Sequence, residues 1–175
     1  MLFVLDRDGV INHESDQFIK TPDEWIPIAG SVEAIAALHK AGHVVVVATN
    51  QSGVNRKLLS QETLEKIHQK MILAVEEQGG KIDHIYFCPH VPEDQCACRK
   101  PLPGMLQKIH DDYGVPYEEM IAIGDSLRDL QAAEAVGCRL VLVNTGNGQK
   151  TLQQLNGLMQ PMVFPDLMAA VKQFV

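Results

Sequence analysis

The stretch that decides the fold is Leu2-Phe3-Val4-Leu5-Asp6-Arg7-Asp8-Gly9-Val10, in which an apolar run leads directly into two carboxylates. A short apolar run bounded by a glycine turn is typical of a strand buried in a parallel sheet. Ligands of open α/β sheets bind beyond the carboxyl ends of the strands, which is where Asp6 and Asp8 lie. The stretch therefore predicts a buried strand that ends at a ligand site, although a strand ending in an ordinary polar turn has the same pattern.

The two carboxylates limit what that ligand can be. The side chains of Asp6 and Asp8 repel one another unless a cation lies between them or one of them is protonated. Hard divalent cations prefer oxygen ligands, and Mg²⁺ commonly takes one or two carboxylates together with phosphate and water. We therefore expect a Mg²⁺-dependent phosphate site in which Asp6 is a metal ligand, a nucleophile or both.

Composition and charge narrow the class of protein further. A chain of 175 residues suits a single domain, which we predict to span residues 1–175. The net charge of −7 argues against nucleic acid as a partner, and it means that an anionic substrate needs local positive charge or metal. The N-terminus lacks the basic region of a signal peptide and no apolar run approaches membrane-spanning length, so we expect a cytoplasmic protein without a membrane partner.

Apolar periodicity predicts strands and helices that alternate along the whole chain. After the first strand, strands are predicted at 43–48, 82–87, 120–123, 139–143 and 162–164, and helices at 31–41, 60–78, 103–113, 127–136, near 151 and after 166. Such alternation is typical of a doubly wound parallel α/β sheet with helices on both faces. The polar stretch 12–28 has neither period, and we expect it to form a loop or flap above the strand ends.

Polar residues follow several of these predicted strands. They are Thr49-Asn50, Arg99-Lys100 and Asp125, and in a parallel sheet these ends face the same side as Asp6 and Asp8. Phosphoryl transfer needs an in-line nucleophile, a cation that bridges it to the phosphate, and donors around the equatorial oxygens. The clustering therefore predicts a phosphoryl-transfer site.

Each residue type has a place in that chemistry. Asp6 and Asp125 are expected to hold Mg²⁺, and the Thr49 hydroxyl is expected to donate to the phosphate. Lys100 is expected to neutralise the phosphate charge that the metal does not reach. Asp8 is placed to give a proton to the leaving oxygen and then to take one from water.

A second constellation lies in the loop 88–98, a small insertion that has no helical or strand pattern. It contains Cys88, His90, Cys96 and Cys98, whose three thiols and one imidazole fit a tetrahedral Zn²⁺ site. Four protein ligands leave no open position, so the Zn²⁺ is expected to be structural and to staple the loop that precedes Arg99-Lys100. A set of free thiols is the alternative. Cys138, at the start of a strand, is expected to be a small core residue.

The motifs together are more specific than any one of them. Asp6-Arg7-Asp8-Gly9-Val10, Thr49-Asn50, Lys100-Pro101 and Gly124-Asp125 stand in the order of the four motifs of the haloacid dehalogenase superfamily of phosphatases, which the chain resembles over nearly its whole length. The Thr-Asn-Gln-Ser-Gly, Cys-x-His and Cys-x-Cys-Arg-Lys-Pro segments narrow the resemblance to the branch that acts on heptose 1,7-bisphosphate and histidinol phosphate.

The resemblance implies a role for each matching residue. Asp6 is implied to be the nucleophile that forms an aspartyl-phosphate, and Asp8 the general acid/base, with its backbone carbonyl on Mg²⁺. Thr49 and Lys100 are implied to stabilise the phosphoryl group, and Asp125 to complete the Mg²⁺ ligands. Four further residues are implied to bind the substrate: Asn50, Gln51, Ser52 and Arg99. Asp129 is implied to be an acidic residue that contacts the residues of the site and not the substrate.

The sequence departs from this branch at two places. Relatives often carry a Gly-Tyr pair in the first loop, where this chain has Asp16-Gln17-Phe18, and some carry lysine where this chain has Ser126. Both positions concern the pocket for the leaving group rather than the phosphoryl chemistry.

The resemblance also implies an activity. It is Mg²⁺-dependent removal of the 7-phosphate from D-glycero-D-manno-heptose 1,7-bisphosphate, in the synthesis of nucleotide-activated heptose for lipopolysaccharide or surface glycans. Histidinol phosphate is the alternative substrate, and a non-catalytic, zinc-stapled binding module is the alternative of another class. We expect a monomer whose partner is a small sugar bisphosphate.

Overall fold

The computed structural model describes residues 1–155, 157 and 159–175. Its strands are β1 (Leu2–Leu5), β2 (Val44–Asn50), β3 (His84–Cys88), β4 (Met120–Gly124), β5 (Arg139–Val143) and β6 (Met162–Phe164). Its α-helices are α1 (Ser31–Lys40), α2 (Gln61–Glu77), α3 (Gly104–Tyr113), α4 (Leu127–Glu134), α5 (Gly148–Gln154) and α6 (Leu167–Val171). Short 3₁₀ helices cover Pro22–Glu24, Pro92–Asp94 and Tyr117–Glu119. The predicted strands and helices are confirmed, with ends shifted by one or two residues.

The strands form one six-stranded sheet in the order β3-β2-β1-β4-β5-β6, and every pair is parallel. β1 lies between β2 and β4, so that Leu2 is paired with Val44 on one side and with Met120 on the other. The Asp6 backbone N–H continues this ladder by donating to the Ile123 carbonyl at 3.0 Å. Asp6, the nucleophile predicted from the sequence, therefore directly follows an interior strand whose side chains are all buried.

The side chains of β1 alternate between two cores, one on each face of the sheet. Phe3 and Leu5 pack with α1, α2 and α6, whereas Leu2 and Val4 pack with α3 and α4. All four are buried, and removing a buried leucine side chain typically costs about 2–5 kcal/mol. Cys138 lies in the second core as predicted. The doubly wound parallel α/β fold with helices on both faces is therefore confirmed.

The loop 12–28 lies over the carboxyl ends of the strands and is fastened to α2. Trp25 is only 1% exposed and packs in the same core as Phe3 and Leu5. Lys70 of α2 donates from Nζ to the Pro22 carbonyl at 2.7 Å and to the Trp25 carbonyl at 2.9 Å. Because Pro22 and Trp25 are held in this way, the residues at the start of the loop can lie beside the strand ends.

Candidate active site

Three buried carboxylates meet where β1 and β4 end. Asp6 follows β1, Asp125 follows β4, and Asp129 lies in the first turn of α4, with carboxylate oxygens within 4.8 Å of one another. Asp129 is directed by its own helix, because both the N–H and the hydroxyl of Ser126 donate to its Oδ2, at 3.0 and 2.6 Å. The sequence-predicted residues Asp6 and Asp125 are thus brought together.

Lys100 is fixed against this cluster. Its Nζ lies 3.0 Å from Asp6 Oδ1 and 2.6 Å from Asp129 Oδ1, and it donates to the Ala48 carbonyl at 2.7 Å. Burial alone would lower the pKa of Lys100, but the Asp129 and Asp6 carboxylates outweigh burial and raise it. Lys100 therefore stays a cation at the oxygen of the predicted nucleophile.

One lysine does not balance three carboxylates. Burial, and after it the Asp129 charge, raises the pKa of Asp6 to about 6. Burial and the charges of Asp6 and Asp129 raise the pKa of Asp125 to about 8. Buried charges are costly unless they are paired, so the site favours a further cation.

The free oxygens of the cluster fit a hard divalent ion. Asp6 Oδ1 accepts from the Arg7 N–H at 2.8 Å as well as from Lys100, which leaves Oδ2 without a donor among the described residues. Asp125 Oδ2 accepts from the Asn147 N–H at 2.7 Å, and its Oδ1 is likewise free within the described part of the chain. The two oxygens of Asp129 already interact with Lys100 and Ser126. Asp6 and Asp125 are therefore the side chains that could hold Mg²⁺.

Gly9 is what lets the β1 turn approach Asp125. Its φ is +84°, and a Cβ at this position would overlap Asp125 Oδ2. The Thr145 hydroxyl donates to the Gly9 carbonyl at 2.6 Å and so ties the turn to the loop after β5. A glycine is required here for both reasons, the left-handed backbone and the close contact.

Asp8 lies beside the cluster with a side chain that is 25% exposed. Arg7 pairs with it at 2.9 Å, while Asn12 and Gln51 donate to its two oxygens at 2.9 and 2.8 Å. Burial would raise the pKa of Asp8, but the Arg7 guanidinium and these hydrogen bonds outweigh burial and lower it. Asp8 is therefore ionised and held in one orientation.

The segment after β2 supplies polar groups to the same site. The Gln51 amide donates to Thr49 Oγ1 at 2.9 Å as well as to Asp8, so it links the predicted phosphate donor to the predicted acid/base. The Asn50 side chain is engaged by the main chain of Lys100, and Ser52 Oγ accepts from Arg56 at 3.2 Å. Two of the residues predicted to bind substrate, Asn50 and Gln51, thus also hydrogen-bond the predicted catalytic residues.

A cavity of about 270 Å³ opens beside Asp8. Three arginines line it, namely Arg56, Arg99 and Arg128, and so do the carboxylates of Glu14 and Asp16. The guanidinium of Arg99 donates from Nη1 to the His90 carbonyl at 3.2 Å, so the Cys-rich loop directs it. The cavity therefore combines positive charge with carboxylates next to Asp8, the predicted acid/base.

The second predicted constellation also comes together. Ligand atoms of Cys88, His90, Cys96 and Cys98 lie within 4.8 Å of one another. His90 presents Nδ1 at 3.4 Å from Cys88 Sγ and 3.3 Å from Cys98 Sγ. Three sulfurs around one imidazole nitrogen form a donor set that is compatible with tetrahedral Zn²⁺.

Comparison with known proteins identifies the family. A family model described as haloacid dehalogenase-like hydrolase matches residues 2–137, which is most of the chain. The chain belongs to this hydrolase family. The resemblance inferred from the motifs is confirmed, and so is the expectation that the protein is an enzyme.

Two relatives of this hydrolase share a name. D-glycero-beta-D-manno-heptose-1,7-bisphosphate 7-phosphatase of Bordetella bronchiseptica is 53% identical over 175 residues, covering 99% of this chain and 97% of the relative. The protein of that name from Pseudomonas putida is 50% identical and covers 99% of both chains. The similarity therefore includes the strand ends, the Cys-rich loop and the C-terminal helix.

Solved structures show the same similarity. The crystal structure of D,D-heptose 1.7-bisphosphate phosphatase from B. bronchiseptica, complexed with magnesium and phosphate, has a TM-score of 0.95 and 54% identity over 98% of this chain and 96% of that one. The phosphatase of similar name from Burkholderia thailandensis has a TM-score of 0.78 and 43% identity over 99% and 97%. Magnesium thus has a precedent in a close structural relative of this hydrolase.

Sequence reasoning missed three residues of the hydrolase site. In the sequence, Arg7 is distinguished only as part of a motif, Arg128 lies two residues after the departure at Ser126, and Glu14 is one of the residues of the polar stretch 12–28. The only signal for Arg128 was its position in the first turn of α4, directly after a strand end. Nothing in the local sequence shows that Arg7 is buried.

Proposed function

We propose that this hydrolase removes the 7-phosphate from D-glycero-D-manno-heptose 1,7-bisphosphate. One observation carries the proposal. Lys100 contacts Oδ1 of Asp6, and the cavity beside the neighbouring Asp8 is lined by three arginines. The charge of Lys100 at Asp6 suits the transferred phosphoryl group, and the three arginines of the cavity suit a second phosphate. The names and structures of the relatives support the same substrate.

The first half of the reaction uses Asp6 as nucleophile. A carboxylate oxygen of Asp6 forms a bond to phosphorus while the bond from phosphorus to the sugar oxygen breaks. Lys100 and the Thr49 hydroxyl are placed to bind the equatorial oxygens, where negative charge accumulates. When bound to Asp6, Asp125 and the Asp8 carbonyl, Mg²⁺ supplies positive charge that offsets the repulsion between carboxylate and phosphate.

Asp8 serves both halves of the reaction. Its lowered pKa suits the second half, in which an ionised Asp8 takes a proton from the water that attacks the aspartyl-phosphate. In the first half it must carry a proton. A phosphate dianion bound beside it raises its pKa, because like charges disfavour the ionised form. The proton then passes to the leaving oxygen of the sugar.

The cavity supplies the binding energy for the rest of the substrate. A bisphosphate carries its second phosphate several bonds from phosphorus under attack, and planar guanidinium groups bind phosphate through paired hydrogen bonds. Arg99 is the best placed because the Cys-rich loop fixes one of its nitrogens. Arg56 and Arg128 lie on the same cavity and add positive charge.

The Cys-rich loop, the partners and the location complete the proposal. We assign Zn²⁺ to Cys88, His90, Cys96 and Cys98, as a structural ion that holds Arg99 and Lys100 in place. In the described part of the chain, no helix has both the length and the apolar character needed to cross a membrane. A cytoplasmic location and a monomeric state remain predictions from the sequence.

The test is phosphate release from a panel of substrates. Heptose 1,7-bisphosphate of each C1 anomer and histidinol phosphate are incubated with the enzyme, with Mg²⁺ or with a chelator. We expect Mg²⁺-dependent release from a heptose bisphosphate and a product that retains its phosphate at C1. Release from C1, or a preference for histidinol phosphate, would overturn the assignment.

Histidinol phosphate is the weaker candidate on physical grounds. Its leaving group carries an ammonium, which the arginines of the cavity would repel. Glu14 and Asp16 could offset part of that repulsion, and this is why the substrate belongs in the panel. We therefore place heptose bisphosphate first.

A further inference from the structure

The side chain of Arg7 is completely buried, at 0% exposure, although it lies between the two aspartates of the active site. Arginine is rarely buried to this extent unless it is paired. The cavity beside Asp8 is lined by other arginines and not by Arg7. The guanidinium is therefore available for a task inside the protein rather than for contact with substrate.

The buried guanidinium hydrogen-bonds both carboxylate oxygens of Asp8. Nε and Nη2 of Arg7 donate to Asp8 Oδ1 at 3.1 and 2.9 Å, and Nη2 also donates to Oδ2 at 3.1 Å. Such a paired arrangement fixes the plane of a carboxylate as well as its position. Asn12 and Gln51 reach the same oxygens from other directions and limit rotation further.

His68 of α2 holds the other side of the guanidinium. Its Nε2 lies 3.3 Å from Arg7 Nη1, and its side chain is buried against the ring of Phe87, with ring centroids 6.0 Å apart. Burial and the Arg7 charge lower the pKa of His68 to about 3, so the imidazole is neutral and Nε2 can accept from Nη1. With Nη1 directed at His68, Nε and Nη2 are left facing Asp8.

We propose that His68 and Arg7 are positioning residues for the general acid/base Asp8. His68 orients the guanidinium of Arg7, and the guanidinium orients the Asp8 carboxylate; we call this arrangement the His68–Arg7–Asp8 relay, in which no proton is passed. The inference rests on the role proposed above for Asp8. Proton transfer requires the acid to lie within hydrogen-bond reach of the leaving oxygen and then of the water. The relay keeps one carboxylate orientation through both steps. The Arg7 backbone N–H donates to Asp6, but its guanidinium donates only to Asp8 and His68 among the described residues.

Leaving-group dependence provides the test. The sugar oxygen of heptose bisphosphate leaves only with a proton, whereas the phenolate of 4-nitrophenyl phosphate is a weak base and leaves without one. Asp8→Asn calibrates the signature, because loss of the acid should slow the first substrate far more than the second during formation of the aspartyl-phosphate. Single-turnover rates of this step are therefore measured for both substrates.

We expect His68→Leu to lower that rate about tenfold for heptose bisphosphate and less than about twofold for 4-nitrophenyl phosphate. His68→Gln keeps a side-chain acceptor for Nη1 and should recover most of the lost rate. Arg7→Lys keeps the charge but loses the paired contact, and it should resemble His68→Leu. Met71→Leu, one turn further along α2 and also buried, is the control and should leave the rates on both substrates unchanged.

Equal losses on both substrates, or a His68→Gln enzyme no better than His68→Leu, would overturn the relay and leave His68 as a packing residue. If Arg7→Lys does not fold, the His68 pair alone decides. If Asp8→Asn itself shows no leaving-group signature, the proposed role of Asp8 fails, and the relay fails with it. Inactivity of the wild-type enzyme on every phosphate monoester would instead refute the proposed function.

Discussion

The side-chain amide of Asn50 and the main chain of Lys100 are joined by two hydrogen bonds, each 3.0 Å long. Asn50 Nδ2 donates to the Lys100 carbonyl, and the Lys100 N–H donates to Asn50 Oδ1. The end of β2 therefore holds the residue that neutralises Asp6. Lys100 follows Cys98 by two positions, so its place depends both on Asn50 and on the order of the Cys-rich loop.

Zinc removal tests the second of these two dependences. We expect metal analysis to find about one tightly held Zn²⁺ per chain, and we expect a strong chelator or Cys96→Ser to lower both the melting temperature and kcat/KM. The loss of activity should be partial, because Asn50 still holds the main chain of Lys100. Zinc content, thermal unfolding and phosphate release are the three measurements.

The matched control for zinc is Cys138, a buried cysteine that directly precedes β5, at the edge where the strands begin, whereas Cys88 is the last residue of β3. Cys138→Ala should retain the Zn²⁺ and most of the activity, at the cost of some stability. Native protein with four reactive thiols and no zinc would contradict the structural role of the metal. So would a Cys96→Ser variant that keeps the zinc content and melting temperature of the wild type.

Replacing the nucleophile tests the aspartyl-phosphate chemistry. Asp6→Asn should abolish turnover, because an amide cannot attack phosphorus, and it should leave the fold intact, because Lys100 keeps Asp129 and the Ala48 carbonyl as partners. Asp8→Asn should slow turnover by about 10²–10⁴-fold and still form the phosphoenzyme. Steady-state rates and mass measurement of the trapped phosphoenzyme check both, and near-normal activity in Asp6→Asn would rule the mechanism out.

The sequence was sufficient for the fold and for the meeting of the strand-end residues. Strand and helix periods are local properties, and in a parallel sheet they determine which ends share an edge. Asp6, Thr49, Lys100 and Asp125 could therefore be placed together from order alone. The same holds for the cysteines and histidine of the loop, which are close in the chain.

What the sequence could not predict depends on side-chain direction. An arginine between two aspartates has the same sequence pattern whether it points to solvent or to the interior, and only the packing of α2 against β1 brings His68 to Arg7. Asn50 is predicted to bind substrate and lines the cavity beside Asp8, but the sequence does not show that its amide also pairs with Lys100, fifty residues further along the chain. Such long-range pairings have no local signature.

The crowded carboxylates predict an unusual dependence of stability on pH. The pKa of Asp125 is about 8 in the folded protein and 3.8 in the unfolded reference, and that of Asp6 is about 6. The folded state thus binds these protons more tightly, so their contribution to stability is complete below about pH 4 and is lost as the pH rises through 6 and 8. In buffer without Mg²⁺ and without chelator, so that Zn²⁺ is retained, we expect a lower melting temperature at pH 8.5 than at pH 5.5.

Mg²⁺ and one variant isolate the cause of that dependence. Mg²⁺ binds the ionised carboxylates of the folded state, so it should raise the melting temperature more at pH 8.5 than at pH 5.5. Asp125→Asn removes the carboxyl group whose pKa is raised to about 8, and it should flatten the dependence while increasing metal-free stability at pH 8.5. The same slope in wild type and Asp125→Asn would show that the cluster does not cause it.

Arg99 provides the sharpest test of the substrate. One nitrogen of its guanidinium is held by the His90 carbonyl, and the side chain lines the cavity beside Asp8. We expect Arg99→Ala to raise KM for heptose 1,7-bisphosphate about 10–100-fold, because a charged hydrogen-bonded contact to the second phosphate is lost. For heptose 7-phosphate, which lacks that phosphate, KM should change little, and kcat should be nearly preserved for both substrates because the groups around Asp6 are untouched.

The control for Arg99 is Arg139, an exposed arginine at the start of β5, where the strands begin rather than end. Arg139→Ala should leave the KM for both substrates unchanged, whereas Arg128→Ala should raise KM selectively for the bisphosphate, because Arg128 lines the same cavity. If Arg99→Ala weakens both substrates equally, Arg99 serves the transferred phosphoryl or the loop, and the second phosphate must be bound elsewhere. If only kcat falls, the side chain acts through Lys100, its neighbour in the chain, and the cavity is not a phosphate subsite.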